Sequence, residues 1–289
     1  PQSFLLKPPY IKSVSPLSGI GGTEVVIQGN NFYKDEIYLN RVYFGSQEAW
    51  IESVSSTEIV CMVPASYTNE SVSITVQTGE QSYVYKDKFT IICPVISKIY
   101  PLNGFYGQNI TIEGENFNMG EIVINVSFYN INNLYYAVAL AEISSVSDNK
   151  IIIKVPDGID SIPKKIKVQV AGSETFSGEI FVLDPPEITG ITPSELVPDS
   201  IITISGKNFN PSDLSTQVFL GKHSIHVVSA TTTQIVASLP TSMTRGNYRI
   251  SIKTAGYKRT YNSVYEVKSK WREIDLPDNF QWYSSAETG

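Results

Sequence analysis

The sequence predicts an all-β chain folded as three consecutive β-sandwich domains. Apolar and polar residues alternate with period two along most of the chain, and clusters of Gly, Pro, Asn and Ser interrupt them roughly every ten residues. A long pattern recurs three times, and the composition leans the same way. Of 289 residues 42% are hydrophobic, enough for a core, 17 are Tyr, and only 17% are charged. The surface must therefore be rich in Ser, Thr, Asn, Gln and Tyr. No segment shows helical periodicity of any length.

Each repeat opens on Pro-x-Ile-x-x-(Val/Ile)-x-Pro: Pro9 to Pro16, Pro94 to Pro101 and Pro186 to Pro193. An alternating strand follows and ends in Gly-x-Asn-Phe: GTEVVIQGNNF (22–32), GQNITIEGENF (107–117) and DSIITISGKNF (199–209). From the second Pro to this Phe the spacing is 16 positions in every copy, Pro16 to Phe32, Pro101 to Phe117 and Pro193 to Phe209. Such equality marks a fixed geometry. Val42-Tyr-Phe-Gly45 then matches Val218-Phe-Leu-Gly221, with Val126-Ser-Phe128 a looser middle version. A strand ending in Pro comes next: TEIVCMVP (57–64), NKIIIKVP (149–156) and TQIVASLP (233–240). A last alternating strand closes each copy: SVSITVQT (71–78), KKIKVQVA (164–171) and NYRISIKT (247–254). Repeat starts lie 85 and then 92 residues apart.

The expected division is an N-terminal extension (1–7), domains over 8–93, 94–184 and 185–268, and a C-terminal segment (269–289). Pro8-Pro9 and Pro185-Pro186 mark two joints, and because Pro fixes φ and restricts its neighbour, these joints should be short and fairly stiff.

Parity along a strand gives the Gly-x-Asn-Phe string a physical reading. Val25, Ile27 and Gly29 share one face, and Phe32 has the opposite parity. A buried Phe32 therefore requires a bulge or turn between, and Gly, then Asn, tolerates positive φ best. The string reads as a strand exit that resets register and returns an aromatic to the core. The competing reading makes Asn31, Asn116 and Asn208 sugar-contacting amides, but one residue repeated in all copies is more simply a backbone-bonding Asn.

Charge and motif content exclude several functions. Net charge is −6 with no Lys/Arg cluster, which argues against phosphate neutralisation and hence nucleic-acid binding. No run approaches the ~18 apolar residues of a membrane span. The chain begins at Pro1 without a basic and apolar leader, so either a signal has been removed or the sequence is a piece of a longer one. Cys61 and Cys93 are too few for a disulfide scaffold and wrongly spaced for zinc. Cys61 aligns with Ile153 and Ala237 and reads as a core residue; an exported protein allows a Cys61–Cys93 disulfide, with two free thiols as the default. His223 and His226, three apart on a strand, fall on opposite faces and read as surface residues. No phosphate loop, nucleophile elbow or metal motif is present, so neither a catalytic site, a metal nor a cofactor is expected.

The recurring pattern resembles the IPT/TIG domain, an immunoglobulin-like sandwich, over residues 8 to about 268. The resemblance implies a fold class of three immunoglobulin-like domains and leaves function open. Long arrays on an acidic background are similar to the stalks of surface glycan-binding lipoproteins of Bacteroidota, whose domains mostly space a carbohydrate-binding module away from the membrane.

Function is then expected where the copies differ. The middle copy carries about seven extra residues in or near 127–142, including Tyr135 and Tyr136. The tail KSKWREIDLPDNFQWYSSAETG (268–289) repeats nothing and holds Trp271, Trp282 and Tyr283. Its Trp271-to-Pro277 stretch resembles the lead-in to a kelch-type blade, against a plain C-terminal strand packing on the third sandwich. Trp271, Trp282 and Tyr283, then Tyr135 and Tyr136, are the expected ligand contacts. The expected protein is non-enzymatic, monomeric and exported to the cell exterior or outer-membrane surface, touching the membrane only through an upstream anchor, and recognises a polysaccharide. The alternatives are a receptor or adhesin binding a surface protein through its sandwiches, and the accessory region of a surface enzyme.

Overall fold

A computed structural model describes residues 7–65, 70–118, 123–211 and 216–268. The first repeat contains β1 (Tyr10–Ser15), β2 (Ser18–Gly19), β3 (Glu24–Asn30), a 3-10 turn at Ile37–Leu39, β4 (Asn40–Phe44), β5 (Gln47–Val54), β6 (Glu58–Met62), β7 (Glu70–Thr78) and β8 (Gln81–Ile91). The second contains β9 (Val95–Tyr100), β10 (Asn103–Gly104), β11 (Asn109–Glu115), β12 (Ile124–Asn130), β13 (Asn133–Leu140), β14 (Glu142–Ser147), β15 (Lys150–Lys154), β16 (Lys164–Val170), β17 (Ser173–Phe176) and β18 (Val182–Leu183). The third contains β19 (Glu187–Thr192), β20 (Ile201–Lys207), β21 (Thr216–Leu220), β22 (His223–Ala230), β23 (Gln234–Ser238), β24 (Gly246–Thr254) and β25 (Tyr257–Val267). The chain divides into two compact units at Asp184/Pro185, the first holding two repeats and the second one.

Every repeat is a two-sheet sandwich. In the first, strands run in the order β1-β3-β6-β5-β4-β7-β8-β2, with β5 serving both sheets: Gln47–Ala49 pair with β4 and Trp50–Val54 with β6. The third repeats this order as β19-β20-β23-β22-β21-β24-β25, with β22 crossing between sheets. Alternation drives the inner faces together: Val25, Ile27, Ile59, Cys61, Ile74, Val76 and Phe89 are buried in the first core. Ile202, Ile204, Ile235, Ala237, Ile250 and Ile252 fill the same places in the third. The middle repeat departs from this plan. Its sheets are separate, β14-β15-β11-β9 and β13-β12-β16-β17, because the crossing strand is replaced by two strands, β13 and β14.

The Gly-x-Asn-Phe string makes the strand exit foreseen for it. Phe32, Phe117 and Phe209 are buried, and Asn31, Asn116 and Asn208 sit in the left-handed region at φ 65, 62 and 59°. The division of labour differs from the expectation in one respect: the glycine does not supply the positive φ. It supplies space. A Cβ at Gly29 would lie 2.1 Å from the Tyr10 carbonyl oxygen and 2.4 Å from the Phe32 ring, and Gly114 and Gly206 are crowded in the same way. Each Phe folds back over its own strand, where only a hydrogen fits. The three asparagine amides donate to the carbonyls of Pro8 (2.8 Å), Cys93 (3.0 Å) and Pro185 (3.1 Å), tying each strand exit to the start of its repeat.

Within the first unit the two sandwiches touch through small residues. A Cβ on Gly21 would meet the Ala171 carbonyl oxygen at 2.8 Å, and one on Gly172 would meet the Ala65 Cβ at 3.1 Å.

Candidate functional site

The middle repeat holds the feature most unlike its neighbours. β12 continues into β13 through a two-residue turn at Ile131–Asn132, flanked by the Asn130–Asn133 pair. The next pairs are Tyr129 with Ala137 and Phe128 with Ala139, so Leu134, Tyr135 and Tyr136 have no opposite number on β12. They form a bulge. Asn133 helps to shape it, its Oδ1 accepting the Tyr135 N–H at 3.0 Å.

The bulge explains a contact that strand parity forbids. Successive residues of a regular strand face opposite ways, yet the Tyr135 and Tyr136 rings meet edge to face with centroids 4.8 Å apart and planes at 78°. Tyr135 is 82% and Tyr136 70% exposed. Leu134 and Leu140 on the same strand are also exposed. These two leucines extend the apolar character of the hairpin and are residues that sequence reasoning overlooked; their place in the inserted stretch was the available signal.

Tyr129 packs edge to face on Phe176 at 5.2 Å, and the Lys167 ammonium lies 4.9 Å from the Tyr129 ring while pairing with Glu174 at 2.6 Å. Burial pushes the Lys167 ammonium towards its neutral form, but the bonds to Glu174 and Tyr129 outweigh it and hold its pKa above the ordinary lysine value. Nearby, Lys164 is almost fully buried; its ammonium donates to Asp160 Oδ1 (2.6 Å), to the Asp160 carbonyl (3.2 Å) and to the Ile162 carbonyl. These groups serve structure, since the Lys167 and Lys164 ammoniums are each paired with a carboxylate, Glu174 and Asp160.

The other expected site residues, Trp271, Trp282 and Tyr283, lie outside the described residues. Cys61 and Cys93 are both buried and form no disulfide with each other. Burial pushes the Cys61 thiol up to about 12, which suits a core residue and not a nucleophile. His223 and His226 are both exposed, and His223 lies edge-on to Tyr248 with ring centroids 6.1 Å apart. Among the described residues no group of three or more His, Cys, Asp or Glu is placed to hold a metal. No described helix is long and apolar enough to cross a membrane.

Sandwich order, matching strand exits and matching cores define a chain of tandem immunoglobulin-like domains. The model of the IPT/TIG domain matches residues 9–91, 94–181 and 186–267, and the chain belongs to that family. It is 31% identical over 215 residues to human Fibrocystin-L, an alignment covering 71% of this chain and 5% of the relative. The mouse Fibrocystin-L alignment covers 86% of this chain at 24% identity, and again only 6% of the relative, so the chain spans a small fraction of either protein. Among solved structures it is similar to the plexin A4 extracellular region, with a TM-score of 0.37 and 18% identity over 86% of this chain and 23% of that one. It is also similar to a surface glycan-binding protein of Prevotella bryantii, with a TM-score of 0.35 and 15% identity over 60% of this chain and 42% of that one.

Proposed function

We propose that the chain is a non-enzymatic cell-surface protein whose tandem sandwiches space and present a glycan-binding surface. Within the described residues the contact is the Tyr135–Tyr136 pair, with Trp271, Trp282 and Tyr283 as further contacts. The observation that carries this reading is the pair itself: two large rings held together and outward by a bulge in the inserted hairpin of the middle repeat, where the described β4–β5 and β21–β22 hairpins pair without one. Exposed aromatic side chains cost solvation unless something covers them, and flat faces edged by hydroxyls suit the C–H faces and hydroxyls of sugars. The spacer half of the reading is supported by threefold family membership, by the joint prolines and by the likeness of such arrays to surface stalks.

The test is a polysaccharide array probed with the full-length protein, native and carrying Tyr135→Ala with Tyr136→Ala. The reading predicts capture of one glycan class and a loss of at least ~tenfold in the double variant, in line with ~1–3 kcal/mol for stacked aromatic contacts. Equal capture by both proteins would remove the pair from the site.

A further inference from the structure

In the two outer repeats the first and last strands meet along a seam, and each repeat closes it differently. In the first, Tyr10 of β1 and Tyr83 of β8 pack edge to face at 5.1 Å. Strand register identifies the matching places in the third. Tyr10 follows Pro9 as Glu187 follows Pro186. Tyr83 lies opposite Val76 and Arg259 lies opposite Ile252, each just before the same irregularity in the last strand pair. The aromatic plug of the first repeat is thus replaced by Glu187 and Arg259, and the third repeat has a cavity of about 260 Å³ between β19 and β25.

The lining of that cavity is mixed. Pro186, Ile188 and Tyr261 are its apolar lining residues and Glu187, Arg259, Thr260 and Asn262 its polar ones. Glu187 also pairs with Lys207 at 3.9 Å, and the Arg259 guanidinium lies over the Tyr257 ring and donates to the Lys258 carbonyl at 3.3 Å. Tyr261 spans the seam, its hydroxyl donating to the Thr189 carbonyl at 3.3 Å, so the ring is held while its hydroxyl is already engaged. Thr189 is the bulged residue of β19, between Ile188 and Gly190 in the pairing with β20.

We propose that this seam is a saccharide-binding site of the third domain that takes a single neutral pyranose residue. The proposal deepens the glycan-binding reading and rests on it for the ligand class. Glu, Arg and Asn side chains supply acceptors and donors of the kind that pair with sugar hydroxyls, and the Tyr261 ring held by its bond to Thr189 supplies the apolar surface that a sugar's C–H face needs. The cavity is below the usual ~300–1,000 Å³ of drug-sized sites, which fits one ring of a longer chain rather than an extended ligand. With Glu187 and its partner Lys207 on one strand and Arg259 on the other, the seam carries both signs of charge and gives no unbalanced carboxylate for a cationic ligand.

The test is amide NMR of the intact chain titrated with glucose, galactose, mannose, xylose and their disaccharides. Shifts confined to 187–190 and 259–262, with dissociation constants of order millimolar, are expected. Glu187→Tyr with Arg259→Tyr rebuilds the plug of the first repeat and should weaken binding at least ~tenfold. Arg259→Ala, on an exposed side chain, should weaken it without requiring new rings to pack. Tyr135→Ala with Tyr136→Ala should leave the seam shifts unchanged. No shift at the seam with any sugar up to about 50 mM, or shifts that persist in the plugged variant, would overturn the site. If the array signal still depended on Tyr135 and Tyr136, the glycan reading would survive that outcome. A seam that binds hexoses on a protein that captures no polysaccharide would keep this site and remove the presenting role.

Discussion

Replacing Gly114 by Ala puts the repeated strand exit to a direct test. The new Cβ would lie 1.9 Å from the Val95 carbonyl oxygen and 2.4 Å from the Phe117 ring. Ordinary contacts are ~3.5 Å or more, so one neighbour must move by more than an ångström. The carbonyl belongs to β9, held there by the Gly114–Ile96 and Glu115–Val95 pairs next to the bulge between Glu113 and Gly114. Both contacts are too short, so the fully buried Phe117 ring and the β9 backbone must each give way, and overpacking of a close-packed core costs ~1–3 kcal/mol. With backbone on one side and a core ring on the other, the upper end applies, about 3 kcal/mol. Gly107→Ala is the control: its φ is +79° but no atom lies within 4 Å of the new Cβ. It should cost ~1–2 kcal/mol from the backbone conformation alone. Three domains need not unfold in one step, so the readout is hydrogen exchange of peptides covering 109–117 during a urea series. Exchange in that segment should rise for Gly114→Ala well beyond Gly107→Ala. A cost below ~0.5 kcal/mol, or equal costs at both glycines, would refute the steric account.

Other outcomes follow from the same structure. Asn116→Ala should cost ~1–3 kcal/mol, losing both left-handed tolerance and the bond to the Cys93 carbonyl, while Asn116→Gly should cost less; urea midpoints of the middle domain compare them. Lys164→Ala leaves two buried carbonyls and a cavity and should cost ~2–4 kcal/mol, whereas Lys164→Met restores the volume and should recover part of that, as read by exchange over 159–167. Cys61, buried with its thiol pushed up to about 12, should resist a thiol reagent at pH 8 in the native protein and react fully in denaturant. Tyr135→Ala with Tyr136→Ala should shift stability by less than ~0.5 kcal/mol, because both rings are exposed.

The fold was legible because alternation, turn residues and threefold spacing all pointed to the same sandwich. Asn31, Asn116 and Asn208 could be assigned to backbone duty because a residue needed in every copy belongs to the architecture, and their amides do bind the start of each repeat. The glycine's role was not legible: the parity of Phe32 indicates that the aromatic returns to the core, but not that its ring lies against the glycine and leaves room only for a hydrogen. The exposed insertion was visible as extra length. Its bulge was not, and the meeting of the Tyr135 and Tyr136 rings depends on the bulge. The seam cavity was hidden for a topological reason. Glu187 and Arg259 lie 72 positions apart, and their shared place becomes apparent only when the first and last strands are known to be neighbours.

Capture of polysaccharides by the full-length protein, with and without Tyr135→Ala and Tyr136→Ala, tests the central claim that sandwiches are scaffold and recognition lies where the copies differ. The account predicts binding to one glycan class that falls at least ~tenfold in the double variant while hydrogen exchange in all three domains stays native. Undiminished capture in the double variant, or no capture of any glycan by the native protein, would contradict it.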